Sequence, residues 1–306
     1  MEATGKRTEL GQIRSLTDSW LTSLESANKS PRTIRTYLEA AGLLTDFLER
    51  TGMPTALANI KREHIEAFMV AELKRTSPTS ASIRYRALQQ FMKWAVAEGE
   101  VEVSPMANMT SPRVPEDPPP VISPDTLRAL LKACEGTRFE DRRDMAIVRL
   151  FLDTGMRRSE LANLKVEDVD FRTRVAEVLG KGGHHRACQF GAKTAQAIDR
   201  YVRARARHRL ADLPDLWLGL AGPVTDNGLA QIVKKRSRRA EIDERMNLHR
   251  FRHTYAHEAL AAGLEGEDLM ALAGWRSRTM LTRYGASMRA ERAREAYKRL
   301  SLGDRL

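Results

Sequence analysis

The sequence contains few cysteines and no long apolar segment. Only two of its 306 residues are cysteines, Cys134 and Cys188, which lie far apart and outside any metal-binding spacing. This scarcity excludes a disulfide scaffold and fits a reducing compartment. No apolar run approaches the roughly 18 residues of a membrane-spanning helix, and residues 1–10 lack the apolar core of a signal peptide. We therefore expect a cytoplasmic protein without a membrane partner.

What the sequence has in excess is positive charge. Lysine and arginine number 51 against 40 aspartate and glutamate residues, which gives a formal net charge of +11 at pH 7. A basic chain of this size often binds a polyanion, most often nucleic acid, although a solvated basic surface has the same composition. Hydrophobic residues make up 42% of the chain, so we expect a globular protein, and its length suggests two domains.

Two dense basic runs, at residues 203–209 and 234–239, are candidates for contacts with a phosphate backbone. Further cations lie among the helices predicted in the first third of the chain. Each cation alone is typical of a solvated helix face, but as a set they are suited to line one face of a duplex. The residues that we expect to contact DNA are Arg84, Arg86, Lys93, Lys234, Lys235, Arg236, Arg238 and Arg239.

A proline-rich segment divides the chain. Six prolines between Thr110 and Pro124 forbid a continuous helix there and favour an extended connector. We therefore predict a first domain at residues 1–110, a linker at residues 111–122, and a second domain at residues 123–306.

Apolar spacing predicts the secondary structure of both domains. Ser30 and Pro31 begin a helix with apolar residues at helical spacing, and a second such row begins at Ile83. The period changes over RVAEVLGKGGHHRACQF, residues 174–190, which predicts a β-hairpin with its turn at Gly180–Gly183. The predicted fold class is mainly α: a helical N-terminal domain, and an α-rich second domain with a small antiparallel β-sheet.

Two stretches of the second domain place a cation at a turn or a helix start. In DTGMRRSEL, residues 153–161, Arg157 and Glu160 share one face of a helix start. The simplest interpretation is an exposed ion pair, but the start of a helix also suits an anion. Lys181 lies between glycines at the predicted hairpin tip. A solvated turn lysine is its more common role, and contact with a phosphate is the alternative.

A third stretch, LHRFRHTYAHEAL at residues 248–260, places three histidines at four-residue spacing. That spacing permits a shared metal ion, so a metal hydrolase built on His249, His253 and His257 is one hypothesis. The interleaved arginines disfavour a divalent cation, and we expect no metal. His249 and Arg252 also lie three residues apart on one face, where they suit the oxygens of a phosphoryl group.

These groups together suit phosphoryl transfer without a metal or another cofactor. Positive donors stabilise the charge that develops around phosphorus, as metal ions do elsewhere. Tyr284 follows Trp275 by nine residues in LAGWRSRTMLTRYGAS. A core aromatic is the more common role of an isolated tyrosine, but its hydroxyl is also a suitable nucleophile for a covalent intermediate.

In type, order and spacing, TGMRRSEL, the LGKGG hairpin, HRFRHT, LAGW and the following tyrosine resemble the tyrosine recombinase (phage integrase) family. Each motif alone is weak, but the ordered set is specific, and the resemblance covers about residues 10–300. The first part and the linker are similar to the core-binding, SAM-like domain and hinge of that family. Because little sequence precedes the first helix, the resemblance implies an Xer-like layout without an arm-binding domain.

The resemblance implies a role for each matching residue. The implied catalytic set is Arg157, Lys181, His249, Arg252, Trp275 and Tyr284, with Glu160 in support. The two arginines and the histidine would hold the scissile phosphate, and Lys181 would protonate the leaving 5′ oxygen. Tyr284 would form a 3′-phosphotyrosyl bond. Trp275 stands where most members have histidine; because an indole cannot carry a proton between groups, we expect it to pack and position.

The implied function is site-specific recombination of double-stranded DNA through a four-way junction, for integration, excision or dimer resolution, without metal or ATP. A homotetramer on DNA is expected. A C-terminal helix with an apolar row would be exchanged between protomers, although the same row also fits packing on its own domain. That row is Ala293, Ala296, Tyr297 and Leu300. An accessory directionality factor is a further candidate partner.

Three alternatives remain open. A catalytically silent, sequence-specific DNA-binding protein fits the charge but has no use for Tyr284 or Lys181. A type IB topoisomerase or a hairpin-forming resolvase shares the chemistry but differs in length and domain order. The third alternative is the metal hydrolase with three histidine ligands.

Overall fold

The chain divides within its proline-rich segment into two units, residues 1–116 and 117–306. Each unit has its own hydrophobic core. The computed structural model describes residues 11–115, 120–180, 185–244, 246–275, 277–278, 281 and 297. Among these residues no helix is long and apolar enough to cross a membrane.

Within its described residues, 11–115, the first unit holds four packed helices. They are α1 (Ile13–Ser26), α2 (Pro31–Arg50), α3 (Arg62–Arg75) and α4 (Pro78–Ala97), with a short 3₁₀ turn at Leu57–Asn59. The hydroxyls of Ser30 and Ser77 accept the backbone N–H of the third helical residue, and a proline follows each serine. These caps explain why α2 and α4 begin where they do. Trp20, Phe68 and Phe91 are the largest fully buried side chains of its core.

The burial of helix α4 differs at one residue from the burial that its apolar row predicts. Leu88 and Phe91 are fully buried, as the helical spacing predicts. Ile83, which the same row places on the inner face, is 41% exposed. The phase of the helix instead turns Tyr85 inward, where its hydroxyl donates a 2.6 Å hydrogen bond to the carbonyl of Met109. The prediction for Ile83 was therefore wrong.

The second unit holds seven helices among the described residues. They are α5 (Pro124–Lys132), α6 (Phe139–Thr154), α7 (Arg158–Ala162), α8 (Ala192–Arg205), α9 (Asp226–Arg239), α10 (Leu248–Ala261) and α11 (Gly266–Ala273). Helix α6 packs against α8 and α10, and Phe151, Tyr201 and Phe251 fill the core between them. Arg157 lies three residues after the end of α6, so the packing of α6 in this core fixes where Arg157 lies.

A three-stranded antiparallel sheet lies beside these helices. Its strands are β1 (Val169–Asp170), β2 (Val175–Leu179) and β3 (His185–Gln189), in the order β1-β2-β3. The predicted hairpin strands and the mainly α fold class are confirmed. Strand β1, with two residues, is too short for its alternation to show in a sequence. In β3, alternation turns Arg186 and Cys188 inward. The turn residues 181–184 lie outside the described residues.

Candidate active site

Arg157 occupies the short connection between α6 and α7. Gly155 ends α6 in the left-handed conformation, with φ of 54°, and α7 begins one residue after Arg157. The Glu160 carboxylate accepts the backbone N–H of Arg157 at 2.8 Å and lies 2.5 Å from its Nη1 atom. The pairing expected from the three-residue spacing is therefore present, and it fixes the Arg157 backbone as well as the side chain.

The Glu160 carboxylate holds a second arginine as well. Its Oε2 atom lies 2.6 Å from Nη2 of Arg186, which reaches across from β3. Burial by itself raises the pKa of Glu160, but the backbone N–H of Arg157 and the charge of Arg186 outweigh that effect, and the pKa is lowered. Glu160 is therefore an ionised, buried carboxylate between two guanidinium groups.

The C-terminal end of α11 binds three arginines. The carbonyls of Leu272, Ala273 and Gly274 accept from Arg186, Arg252 and Arg157, respectively. The last carbonyls of a helix have no partner within the helix and carry partial negative charge, so cations are stabilised there. Gly274 ends α11 with φ of 64°, in the left-handed region. The end of this one helix therefore brings together side chains from three other parts of the second unit.

Arg252, on α10, is the most deeply buried arginine of the three. It is 3% exposed, and its Nη1 donates to the carbonyl of Gly155 at 2.6 Å. Its Cζ atom lies 5.5 Å from the ring centre of Trp275. Burial, followed by repulsion from Arg157 and Arg186, lowers the pKa of Arg252 to about 10. The guanidinium therefore remains charged at neutral pH.

These contacts define a cationic site. Three guanidinium groups meet one buried carboxylate, which leaves two positive charges uncompensated within this cluster. The Arg157 side chain is 40% exposed, so the cluster opens to solvent at that residue. An anion with several acceptor oxygens, such as a phosphodiester, matches both the excess charge and the planar donors.

The remaining expected site residues lie near this cluster or outside the described residues. His249 is exposed on α10, with its ring 4.2 Å from that of the buried His253. Trp275 is buried in a small apolar cluster with Leu260 and Leu269. Lys181 and Tyr284 lie outside the described residues, as do three residues of the expected C-terminal row; the fourth, Tyr297, is helical and exposed.

The three histidines of α10 do not form a metal site. Within the described ranges, no group of three or more histidine, cysteine, aspartate or glutamate side chains is placed to hold a metal ion. His249, His253 and His257 all belong to those ranges. The hydrolase hypothesis therefore lacks its ligand set.

Comparisons with known proteins agree with this geometry. The family model described as "Phage integrase family" matches residues 120–291, and "Phage integrase, N-terminal SAM-like domain" matches residues 16–99. The chain belongs to the phage integrase family. Tyrosine recombinase XerD of Corynebacterium glutamicum is 30% identical over 300 residues, which cover 94% of this chain and 98% of that protein. Tyrosine recombinase XerC of Oceanobacillus iheyensis is 26% identical over 295 residues, 94% and 96% of the two chains.

Two solved structures show the same fold. The Tn1549 transposon integrase in complex with transposon right end DNA has a TM-score of 0.75 at 18% identity, covering 93% of this chain and 99% of that one. XerH bound to palindromic difH substrate has a TM-score of 0.74 at 18% identity, covering 91% and 85%. The recognition from sequence motifs is confirmed, and this member of the phage integrase family is a tyrosine-type site-specific recombinase.

The sequence motifs did not assign Arg186 to this site. The residue lies in the stretch HHRACQF, where it is one of several polar residues after the glycine-rich turn. Its position two residues before the buried Cys188 is the one available signal, because alternate residues of a strand share a face. The contacts with Glu160 and with the end of α11 depend on tertiary structure.

The expected DNA contact at Arg236 was wrong. Its side chain is 3% exposed on α9, with Nε 2.7 Å from Asp144 and Nη1 2.9 Å from Asp141. Helical geometry turns this residue inward while its neighbours Lys235 and Arg238 remain exposed. A guanidinium enclosed by two carboxylates holds α9 to α6 and cannot reach a phosphate.

The remaining basic candidates also differ in exposure. Arg205, within the run 203–209, is buried and donates to four backbone carbonyls, so it too is structural. Arg84 in the first unit pairs with the buried Glu72. The candidates that are exposed are Arg86, Lys93, Lys234, Lys235, Arg238 and Arg239.

Proposed function

We propose that this recombinase transfers DNA strands through a 3′-phosphotyrosyl intermediate, with Arg157 and Arg252 holding the scissile phosphate. The observation that carries the proposal is the cluster of three arginines around the single buried carboxylate of Glu160. Its excess positive charge supplies what a transferring phosphoryl group needs in the absence of a metal ion.

The proposed first step exchanges one phosphate ester for another. The phenol oxygen of Tyr284 attacks phosphorus, and the bond to the 5′ oxygen breaks. Lys181 donates a proton to that leaving oxygen, and the phenol proton passes to a base, for which the exposed imidazole of His249 is the candidate. Trp275 is excluded from proton transfer because an indole N–H only donates. Its contact with Arg252 supports a positioning role instead.

The second step reverses the first with a different strand. A free 5′ hydroxyl attacks the phosphotyrosyl bond and releases the tyrosine, so the number of ester bonds is unchanged. No ATP is needed because the covalent bond stores the energy of the broken phosphodiester. Exchange between two duplexes needs four such reactions and a four-way junction, which is the basis for proposing a homotetramer on double-stranded DNA.

Structures of related proteins support this assembly. A lambda integrase tetramer has been solved bound to a Holliday junction, and it shares the present fold with a TM-score of 0.68 at 16% identity. For this chain, the tetramer, an exchanged C-terminal helix and an accessory directionality factor all belong to the proposal. Because the substrate is DNA, we propose action in the cytoplasm.

The division of labour between the units is part of the proposal. We assign core-site binding to residues 1–110, a linker to residues 111–122 and catalysis to residues 123–306. The match of residues 16–99 to the SAM-like domain of phage integrases supports the first assignment. Exposed Arg86 and Lys93 on α4 are the proposed backbone contacts of that unit.

A nicked duplex tests the proposal. A bound site is first selected from a pool of genomic fragments, and a nicked version of that site traps a covalent product because the short cleaved strand diffuses away. We expect a protein–DNA adduct on a denaturing gel in the presence of a chelator, and none with Tyr284→Phe. Specific binding without an adduct would instead favour the silent DNA-binding protein. Relaxation of any supercoiled plasmid would favour the topoisomerase, and sensitivity to the chelator would favour a metal enzyme.

A further inference from the structure

Arg186 connects three elements of the catalytic unit. It lies on β3, its Nη2 atom is 2.6 Å from the Glu160 carboxylate on α7, and its Nη1 atom donates to the Leu272 carbonyl at the end of α11. The side chain is 11% exposed, against 40% for Arg157. Arg186 therefore faces the protein, while Arg157 is the arginine that meets solvent.

The Arg186 side chain also packs directly beneath the turn that ends α11. A Cβ atom at Gly274 would lie 3.2 Å from Nε and 3.3 Å from Cδ of Arg186. That distance is shorter than an ordinary contact, so the glycine leaves room for the guanidinium stem. The backbone of this turn therefore packs against the Arg186 side chain. If Arg186 moved, the turn would lose that packing.

Both residues that hold Arg157 lie next to Arg186. Oε1 of Glu160 binds the Arg157 guanidinium, while Oε2 binds Arg186 and also accepts the Arg157 backbone N–H. Gly274, whose carbonyl accepts from Arg157, lies next to the Arg186 stem. The carbonyl that accepts from Arg252 lies between these contacts, at Ala273. Arg186 therefore reaches neither phosphate-holding arginine directly but touches the supports of both.

We propose that Arg186 is a positioning residue of the strand-transfer reaction. It holds Glu160 and the end of α11 in fixed register, and through them it sets the separation of Arg157 and Arg252. The inference rests on the proposed function, since it concerns how the two arginines are presented to the scissile phosphate. A guanidinium group is needed at this position because its planar set of N–H donors can bind two acceptors on different elements at once. An ammonium group does this less well.

Two substitutions separate the charge of Arg186 from its shape. Arg186→Met keeps an unbranched side chain but removes the hydrogen bonds to Glu160 and to the Leu272 carbonyl. Arg186→Lys keeps the positive charge but loses the planar guanidinium group. We measure the single-turnover rate of adduct formation on the nicked duplex at saturating protein, and the Kd for the same duplex. For Arg186→Met we expect a rate lower by about 100-fold, because a small misplacement of the reacting groups has an effect of that order. The Kd should change by less than about threefold, and Arg186→Lys should be intermediate in rate.

The chain supplies its own test of folding. Its two cysteines, Cys134 and Cys188, are both buried, and Cys188 lies on β3 beside Arg186. The thiols of a correctly folded variant therefore stay unreactive toward a thiol reagent. Arg128→Met is the matched control, because Arg128 forms an exposed pair with Asp125 far from the cluster in sequence. We expect that variant to cleave at the wild-type rate.

A double-mutant cycle with Glu160→Gln tests whether Arg186 acts through Glu160. If it does, the double variant is slowed by much less than the product of the two single effects. The inference is overturned if Arg186→Met cleaves at the wild-type rate, if the two effects multiply, or if the variant exposes its thiols and loses DNA binding in parallel. Absence of an adduct with the wild-type protein would instead refute the proposed function itself.

Discussion

Arg157 and Arg252 donate to neighbouring carbonyl groups of one helix end, at 2.8 Å to Gly274 and 2.6 Å to Ala273. Consecutive residues are about 3.8 Å apart along the backbone, so this relationship fixes the two guanidinium groups side by side. Two adjacent planar donors match the two non-bridging oxygens of one phosphodiester. The same helix end leads, nine residues beyond Trp275, to Tyr284.

The two arginines should respond differently to removal. Arg252→Met leaves the Gly155 and Ala273 carbonyls without their buried donor, at a cost of about 1–3 kcal/mol for each unsatisfied group. We expect Arg252→Met to lower both the free energy of unfolding and the rate of cleavage. Arg157→Met, at a half-exposed position, should lower the cleavage rate with a smaller loss of stability. Urea unfolding and the adduct assay measure the two effects, and equal stability losses would contradict this account.

Gly155 should tolerate no side chain. Its φ of 54° is unfavourable for other residues, and a Cβ atom would lie 2.3 Å from Cδ1 of Tyr255. We expect Gly155→Ala to destabilise the protein by about 2 kcal/mol or more, as strain and overlap add. The control is Gly222→Ala, where no atom lies within 4 Å of the added Cβ. Similar urea midpoints for the two variants would show that this turn is not constrained as described.

Arg236 and Lys235 should separate stability from DNA binding. Arg236→Met leaves the buried Asp141 and Asp144 carboxylates with less compensation, and we expect a loss of about 3 kcal/mol in unfolding free energy. Lys235→Met should leave stability unchanged. It should also lower the slope of log affinity against log salt concentration by about one unit if Lys235 contacts a phosphate. A stability loss with Lys235→Met and a lower salt slope with Arg236→Met would show that Arg236 contacts the DNA.

The pH dependence of stability should report on Glu160. Because the folded state lowers the pKa of this carboxyl group, its ionised form favours folding. That contribution is fully present above the unfolded pKa, near 4.5, and is lost as the pH falls through the lower, folded pKa. We expect wild type to exceed Glu160→Gln in unfolding free energy at pH 7 and the difference to shrink toward pH 3. A difference that is constant over this range would contradict the lowered pKa.

Local signals predicted much of the fold. The serine–proline start located α2, and the change from helical to alternating period located β2 and β3. The pairing of Arg157 with Glu160 followed from a spacing of three residues on a helix. Each of these features depends on neighbours within about one helical turn or one hairpin, which is the range over which sequence patterns are informative.

The rest depends on contacts between distant segments. Arg186 pairs with Glu160 across 26 residues and with Leu272 across 86, and nothing near it in sequence indicates either contact. Arg236 belongs to a run of cations that all look exposed in the sequence. This run lies on a helix with one buried face. Arg236 lies on that face and Lys235 does not, and nothing else distinguishes the two residues. Three arginines on one helix end are likewise a property of the folded unit.

The most direct test of the central claim is the identity of the residue that carries the DNA. The adduct formed on the nicked duplex in chelator is digested with nuclease and protease, and the peptide with an attached nucleotide is sequenced by mass spectrometry. Our account predicts a nucleotide 3′-phosphate on Tyr284, with the yield of this peptide sharply reduced in both Arg157→Met and Arg252→Met. Attachment to any other residue, or an undiminished yield in both arginine variants, would contradict it.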